Sequence, residues 1–240
     1  MKIRLLSDLH LELYQNVDLD FKKEADVVIL AGDIGNPFMD NYKLLLRKLS
    51  LSHQKVFVIS GNHEYYSKKT MSKVDKKIRN ICEKEDDIHF LQMDSYIFND
   101  VKFMGCTLWS NPIDKTLCKY MNDFDNISTN DKTFSFDKYN EKHLLHKNWL
   151  ENELSHNDNN KTIVITHHLP SFQLINEKFI DNPLNQFFAS DIKLYNARIS
   201  CYGHTHISNK MEINGIQYYC NPKGYSHEES GWNADFIFTI

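Results

Sequence analysis

Asp8 and His10 stand two residues apart where the aliphatic run Ile3 to Ser7 gives out. In a strand that is just ending, positions i and i+2 point the same way, so both side chains can reach one ion. Gly203-His204-Thr205-His206 repeats the device with two imidazoles after the run Arg198 to Tyr202. Such a pair at a strand end is a better metal signal than a carboxylate beside a single histidine. Three further polar clusters close apolar runs: Gly32-Asp33 after Asp26 to Leu30, Gly61-Asn62-His63-Glu64 after Lys55 to Ser60, and His167-His168 after Lys161 to Thr166. Taken singly, each has an ordinary reading. Asp33 can cap a turn, Gly61 and Asn62 can form one, and either His167 or His168 can be a satisfied structural residue. As a set they offer nitrogen and oxygen donors without a thiolate, a combination suited to Mn, Fe, Zn or Co.

The elements that must bring these residues together are short β-branched strands with helical stretches between them, the pattern of α/β architecture. In open α/β sheets, side chains beyond the carboxyl ends of the strands are aimed into a common crevice. Tyr42 to Leu51, Met71 to Glu83 and Lys138 to Leu154 read as helices. Asn99-Asp100 and Asn214-Gly215 each separate two short strand-like runs, which predicts two hairpins. Asp235 to Thr239 can close a sheet edge. Residues 110–137 are polar and poorly periodic, which reads either as a surface excursion over the site or as an ordinary loop. Tyr65, Tyr66, Trp109 and Tyr225 could stack on a substrate ring or pack in the core, and Tyr120 to Asp123 could shape a pocket.

With 240 residues, 41% of them hydrophobic, the chain can bury a sizeable core, and residues 1–240 are expected to form a single domain. The formal net charge of −4 encodes no long-range attraction to a polyanion, so there is no strong nucleic-acid signal. Cys82, Cys106, Cys118, Cys201 and Cys220 are scattered and form no C-x-x-C pair, which fits buried thiols in a reducing compartment. No apolar run approaches the roughly 18 residues of a membrane span, and the first ten residues carry Lys2, Arg4 and Asp8 rather than a secretory leader. A soluble, cytoplasmic protein is the expectation.

In order along the chain, Asp8-x-His10, Gly32-Asp33, Gly61-Asn62-His63-Glu64, His167 and Gly203-His204-x-His206 resemble the full motif series of the calcineurin-like metallophosphoesterase superfamily. The likeness is greatest to small, poorly characterised members with Ser7-Asp8-Leu9-His10 near the start and Asn221-Pro222-Lys223-Gly224-Tyr225 near the end. The resemblance implies a four-layer αββα sandwich of two facing mixed sheets, with a dimetal site at the strand ends. By motif position, Asp8, His10, Asp33 and His206 would hold one divalent or trivalent ion and Asp33, Asn62, His167 and His204 the second. Asp33 would bridge them. His63, left without a metal, would face the phosphate as the catalytic residue, while Glu64 and His168 would orient ligands from behind. The implied activity is hydrolysis of a phosphate mono- or diester, on a small-molecule or nucleotide substrate, by hydroxide generated between the two metals.

Departures narrow the choice. Protein phosphatases of the superfamily carry an Asp and an Arg where Asn36 and Pro37 stand here, so the carboxylate that would polarise His63 and the guanidinium that would clamp phosphate are not at those positions. Lipid A pathway hydrolases have Arg at the position of His63, whereas class III cyclic nucleotide phosphodiesterases keep the His. Two alternatives remain: a non-catalytic interaction module on the same fold, as in a retromer scaffold subunit, and a nuclease. Scaffolds tend to lose ligands and the nucleases usually bring extra DNA-gripping domains; this chain keeps the ligands and is short and mildly acidic.

Overall fold

Strands form where branched and aliphatic residues follow one another without polar interruption, because these strands are covered on both faces. Val-Val-Ile-Leu-Ala at Val27–Ala31 is buried at every position, as is Thr162–Thr166. The computed structural model describes residues 1–14, 19, 21–129, 132–157 and 161–240. In chain order the strands are Lys2–Leu6 (β1), Val27–Ala31 (β2), Lys55–Ile59 (β3), Ile88–Phe90 (β4), Asp94–Phe98 (β5), Val101–Cys106 (β6), Ser128–Thr129 (β7), Lys132–Thr133 (β8), Thr162–Thr166 (β9), Ile199–Tyr202 (β10), Asn209–Ile213 (β11), Ile216–Cys220 (β12) and Ile237–Thr239 (β13). The helices are Asp40–Ser50 (α1), Met71–Cys82 (α2), Asp123–Asn126 (α3) and Phe136–Ser155 (α4).

One sheet has the order β13-β1-β2-β3-β4 and the other β11-β12-β10-β9-β6-β5, while β7 and β8 pair by themselves. Strands β1 to β4 are mutually parallel with β13 antiparallel at the edge; β12, β10, β9 and β6 are parallel, with β11 and β5 turned back as hairpin partners. Both hairpin turns place their central residues at positive φ, Asn99 and Asp100 in one, Asn214 and Gly215 in the other, as two-residue turns that match strand twist require.

Alternation along the strands sorts the core into layers. Ile3, Leu5, Ile29 and Phe57 of the first sheet meet Phe103, Ile163, Ile165 and Ile199 of the second in a fully apolar interface. Leu6, Val28, Leu30 and Val58 point the other way, onto α1 through Leu46 and Leu49 and onto α2 through Val74 and Ile78. Beyond the second sheet, Met104, Val164 and Tyr202 pack with Leu150 and Leu154 of α4. The result is the αββα sandwich.

Helix α4 starts two residues ahead of the sequence expectation because Ser135 caps it, its hydroxyl accepting from the Lys138 N–H. Strand β4 escaped the sequence reading, since its three residues are too few to show a period. Within residues 110–137 the chain forms a 3₁₀ turn at Lys115–Tyr120, then α3, then β7 and β8; residues 130 and 131 of that stretch lie outside the described residues. Among the described residues no helix is long and apolar enough to cross a membrane.

Candidate metal centre

Parallel strands present their carboxyl ends on one rim, so β1, β2 and β3 of one sheet and β9 and β10 of the other deliver their terminal loops to the same place. Each chain must then turn at once so that its polar side chain folds back over the rim. The backbone shows how: φ is +52° at Asp8, +49° at His10, +54° at Asp33, +72° at His204 and +51° at His206. A non-glycine residue in this region costs on the order of 1 kcal/mol, and such strain gathers at functional sites. Glycine is needed where a loop passes against these side chains: a Cβ at Gly61 would lie 2.1 Å from Asp33 Oδ1.

Three groups of donors converge, each with all its ligating atoms within 4.8 Å of one another: Asp8, His10 and His206; His10, Asp33 and His63; Asp33, His167 and His204. Asp33 and His10 each belong to two of them, so the groups form one continuous cluster. Hydrogen bonds on the outer side decide what the imidazoles present inward. His10 Nδ1 lies 3.0 Å from Glu12 Oε1, His206 Nδ1 is 2.6 Å from Glu228 Oε2, and His167 Nδ1 is 2.9 Å from the Ala31 carbonyl oxygen. All three outer partners are acceptors, so Nδ1 carries the proton and Nε2 turns a lone pair into the cluster. There the lone pairs meet further acceptors: His10 Nε2 stands 3.0 Å from His206 Nε2, and His167 Nε2 is 3.1 Å from Asn62 Oδ1 and 3.3 Å from Asp33 Oδ1. His204 Nε2 is buried with no hydrogen-bond partner among the described residues. Acceptors facing acceptors in a buried site repel unless something positive lies between them. This donor set fits cations.

The same electrostatics show in proton affinities. Burial would raise the Asp33 carboxyl, but His167 and then His63 hold it well below the usual range. His167 responds in kind: burial works against its charge, yet Asp33 pushes its pKa up to about 10, and Asp8 raises His206 to about 9, so without a cation a proton on Nε2 supplies the positive charge between the acceptors, and a bound cation would displace it. His204 goes the other way, driven well down by burial and by the neighbouring His168.

Behind the cluster stand residues that hold it in place. Glu64 accepts backbone N–H bonds from Asp33 at 3.0 Å, Ile34 at 2.8 Å and Gly61 at 2.7 Å, tying the β2 and β3 loops together. His168 turns its Nδ1 to the Thr107 carbonyl and packs its ring 4.3 Å from that of His204. Sequence reading passed over Glu12 and Glu228 and took Asp123 only as part of a stretch that could shape a pocket. Glu12 lies 3.0 Å from His63 Nδ1 as well as from His10 Nδ1, so a carboxylate does face His63, supplied from the β1 loop instead of from position 36. Asp123, at the start of α3, accepts from Asn62 Nδ2 at 2.9 Å and from Tyr66 Oη at 2.6 Å, which turns Asn62 Oδ1 toward His167. Glu228 fixes His206 and accepts the Tyr225 N–H at 2.7 Å. Glu12 repeats the i+2 spacing of Asp8 and His10, a signal that could have found it; Asp123 and Glu228 sit in stretches with no such period.

Of the four aromatic residues with two readings, Tyr65 and Trp109 are buried and 6.1 Å apart, ring to ring, in the core. Tyr66 and Tyr225 reach the site, 4.3 Å from His63 and 4.7 Å from His10. The Asn221 to Tyr225 segment arrives there because Lys223 and Gly224 donate backbone N–H bonds to Ser7 and Asp8.

Comparison with known proteins agrees with this architecture. A protein of Acanthamoeba polyphaga mimivirus described as "Uncharacterized protein L509" is 32% identical over 96% of this chain and 94% of its own length. The fold is shared with a phosphopantetheinyl hydrolase of Mycobacterium tuberculosis, at TM-score 0.73 and 18% identity over 95% of this chain and 93% of that one. It is shared more loosely with a dimetal phosphatase of Danio rerio, at TM-score 0.50 and 13% identity over 91% and 86% of the two chains. The pattern of the calcineurin-like phosphoesterases matches residues 1–208, a stretch that takes in every residue of the cluster, and the chain therefore belongs to that family.

Proposed function

We propose that the chain hydrolyses phosphate mono- or diesters with two cations, one on Asp8, His10, Asp33 and His206, the other on Asp33, Asn62, His167 and His204. The observation that carries this is the set of inward Nε2 atoms on His10, His167 and His206, each ring fixed by an acceptor behind its Nδ1. When bound, the cations would lower the pKa of a water toward neutrality and offset the charge of the phosphoryl oxygens. The remaining work falls to the chain. Asp33, its Oδ1 accepting the His63 N–H at 2.8 Å, is held where one carboxylate can serve both halves of the cluster.

His63 serves as the proton donor to the leaving oxygen. Burial opposes its charge, but Asp33 and then Glu12 raise its pKa above the ordinary histidine value. Glu12 secures the proton on Nδ1, so the second proton sits on Nε2, which faces the Tyr225 hydroxyl at 3.4 Å and the open side of the site. From there it can be given to the departing alcohol, a contribution of about 10²-fold or more in rate. Glu64 and His168 act indirectly, through the loop of Asp33 and the ring of His204.

Protein purified with Mn²⁺ is expected to release nitrophenol from a nitrophenyl phosphodiester. Asp33→Asn should abolish this with loss of bound metal, whereas His63→Ala should keep the metal and lose about 100-fold or more in kcat. Full metal occupancy with no hydrolysis across a panel of phosphate mono- and diesters would overturn the assignment.

A further inference from the structure

A cavity of about 370 Å³ opens directly off the cluster, between His63 and His204. Its walls come from places that are remote in sequence: the loop after β3, Tyr120 to Asn122, the stretch from Ile175 to Phe188 with its 3₁₀ turns Glu177–Phe179 and Pro183–Phe187, the loop of His204 to His206, and Tyr225 with Glu228. Tyr66, Tyr120, Ile175, Phe179, Leu184 and Phe188 make it largely apolar. Two of these tie the cavity to the chemistry, since the Tyr66 ring lies 4.3 Å from His63 and the Phe188 ring 4.5 Å from His204.

Its polar groups are as informative. Asn176 and Asn182 each use the side-chain carbonyl to cap a turn, accepting from the Lys178 and Leu184 N–H, which leaves their amide N–H₂ groups to donate. Glu228 is taken up by His206 and by the Tyr225 N–H. Among the described residues, no lysine or arginine lines the cavity. Additional phosphates or carboxylates on a substrate call for such cations, and here they would meet apolar walls beside Glu228.

We infer that this cavity binds the non-phosphate half of the substrate, and that this half is uncharged, substantially apolar and able to accept hydrogen bonds. The class is a singly phosphorylated organic ester; nucleoside polyphosphates and nucleic acid are excluded. The inference rests on the phosphoesterase reading of the adjoining cluster. Because His63 lines both, the alcohol that leaves is the part the cavity holds.

The test is calorimetric titration of the full chain, loaded with Mn²⁺, with methylphosphonate, hexylphosphonate and 6-phosphonohexanoate, which are not hydrolysed. Each methylene that enters an apolar site should tighten binding about three- to fourfold. Hexylphosphonate is therefore expected to bind at least about tenfold more tightly than methylphosphonate, and the carboxylate-tailed compound to lose most of that gain. Phe179→Asp, at an exposed position of the wall, and Leu184→Lys, at a half-buried one, should flatten the dependence on chain length; the second should favour the carboxylate tail. Equal binding of methyl- and hexylphosphonate would overturn the cavity assignment and leave the phosphoesterase reading intact. Absence of binding by every phosphonate to metal-loaded protein would overturn both.

Discussion

At the scale of single residues, the geometry of the proposed metal centre depends on groups that would touch neither cation. Nδ1 of His10 and His63 face the same Glu12 oxygen, so one carboxylate sets the tautomer of a proposed ligand and of the proposed proton donor. Glu12 is only partly exposed, and both imidazoles hold its carboxyl below the ordinary range against the opposing effect of burial. Removing the charge while keeping the shape isolates that role. Glu12→Gln is expected to weaken Mn²⁺ binding by about 10- to 100-fold and to lower kcat, with a melting temperature close to wild type; Glu12→Asp should restore part of both. A Gln variant that binds metal and turns over like the parent would show that the two contacts are incidental. The left-handed backbone at Asp8, His10, Asp33, His204 and His206 belongs to the same scale. It is a cost the loops bear so that side chains from parallel strands can converge.

At the scale of elements, the strands supply direction and the insertions supply shape. Parallel pairing of β1, β2 and β3, and of β9 and β10, brings five loops to one rim, but does not set how far each ligand reaches over it. For Asn62 that is done by α3, a helix of four residues whose Asp123 is buried and holds both the Asn62 amide and the Tyr66 hydroxyl. Asp123→Ala should therefore release Asn62 and loosen the second metal by about 10- to 100-fold in titrations with Mn²⁺. Asp123→Asn, which keeps an acceptor oxygen, should lose less. If Asp123→Ala bound two metals as tightly as the parent, α3 would have no part in the centre. The 3₁₀ turns of residues 177–187 do the corresponding work for the cavity wall, with Asn185 Nδ2 donating to the Phe179 and Ile180 carbonyls and so setting where the Phe179 ring stands.

At the scale of the whole molecule, stability depends on pH through a buried histidine outside the cluster of proposed ligands. His146 on α4 is buried against the second sheet, its Nδ1 accepting the Leu108 N–H at 3.1 Å. Burial, with Lys142 and His143 adding to it, lowers its pKa from 6.5 to about 3. Above pH 6.5 the ring is neutral in both the folded and unfolded chain and the stabilisation is fully present. Between pH 6.5 and about 3 the unfolded chain takes up a proton that the folded chain refuses, so stability falls with falling pH by on the order of 1 kcal/mol per pH unit. Urea unfolding of wild type and His146→Asn, which keeps an acceptor for Leu108, should show a shallower acid slope in the variant. Identical slopes would assign the acid sensitivity to other groups.

Much of this was legible in the residues. The α/β class follows from the alternation of strand-like and helical stretches, and both hairpins from Asn99-Asp100 and Asn214-Gly215, because these are local properties of the chain, whereas the αββα sandwich is implied only by the resemblance of the motif series. The seven residues proposed as ligands could be picked out from the sequence because each sits at the polar end of an apolar run, and their assignment to two cations rests on the family's order of motifs. What folding alone decided is which distant groups stand behind and beside them. Glu12 meets His63 across 51 positions and Asp123 meets Asn62 across 61, contacts that depend on how loops cross the rim and leave no period in the sequence. The cavity is of this kind too. Its walls come from loops with no regular strand or long helix, so its apolar character and, among the described residues, its lack of lysine and arginine arise only when tertiary packing sets those loops side by side.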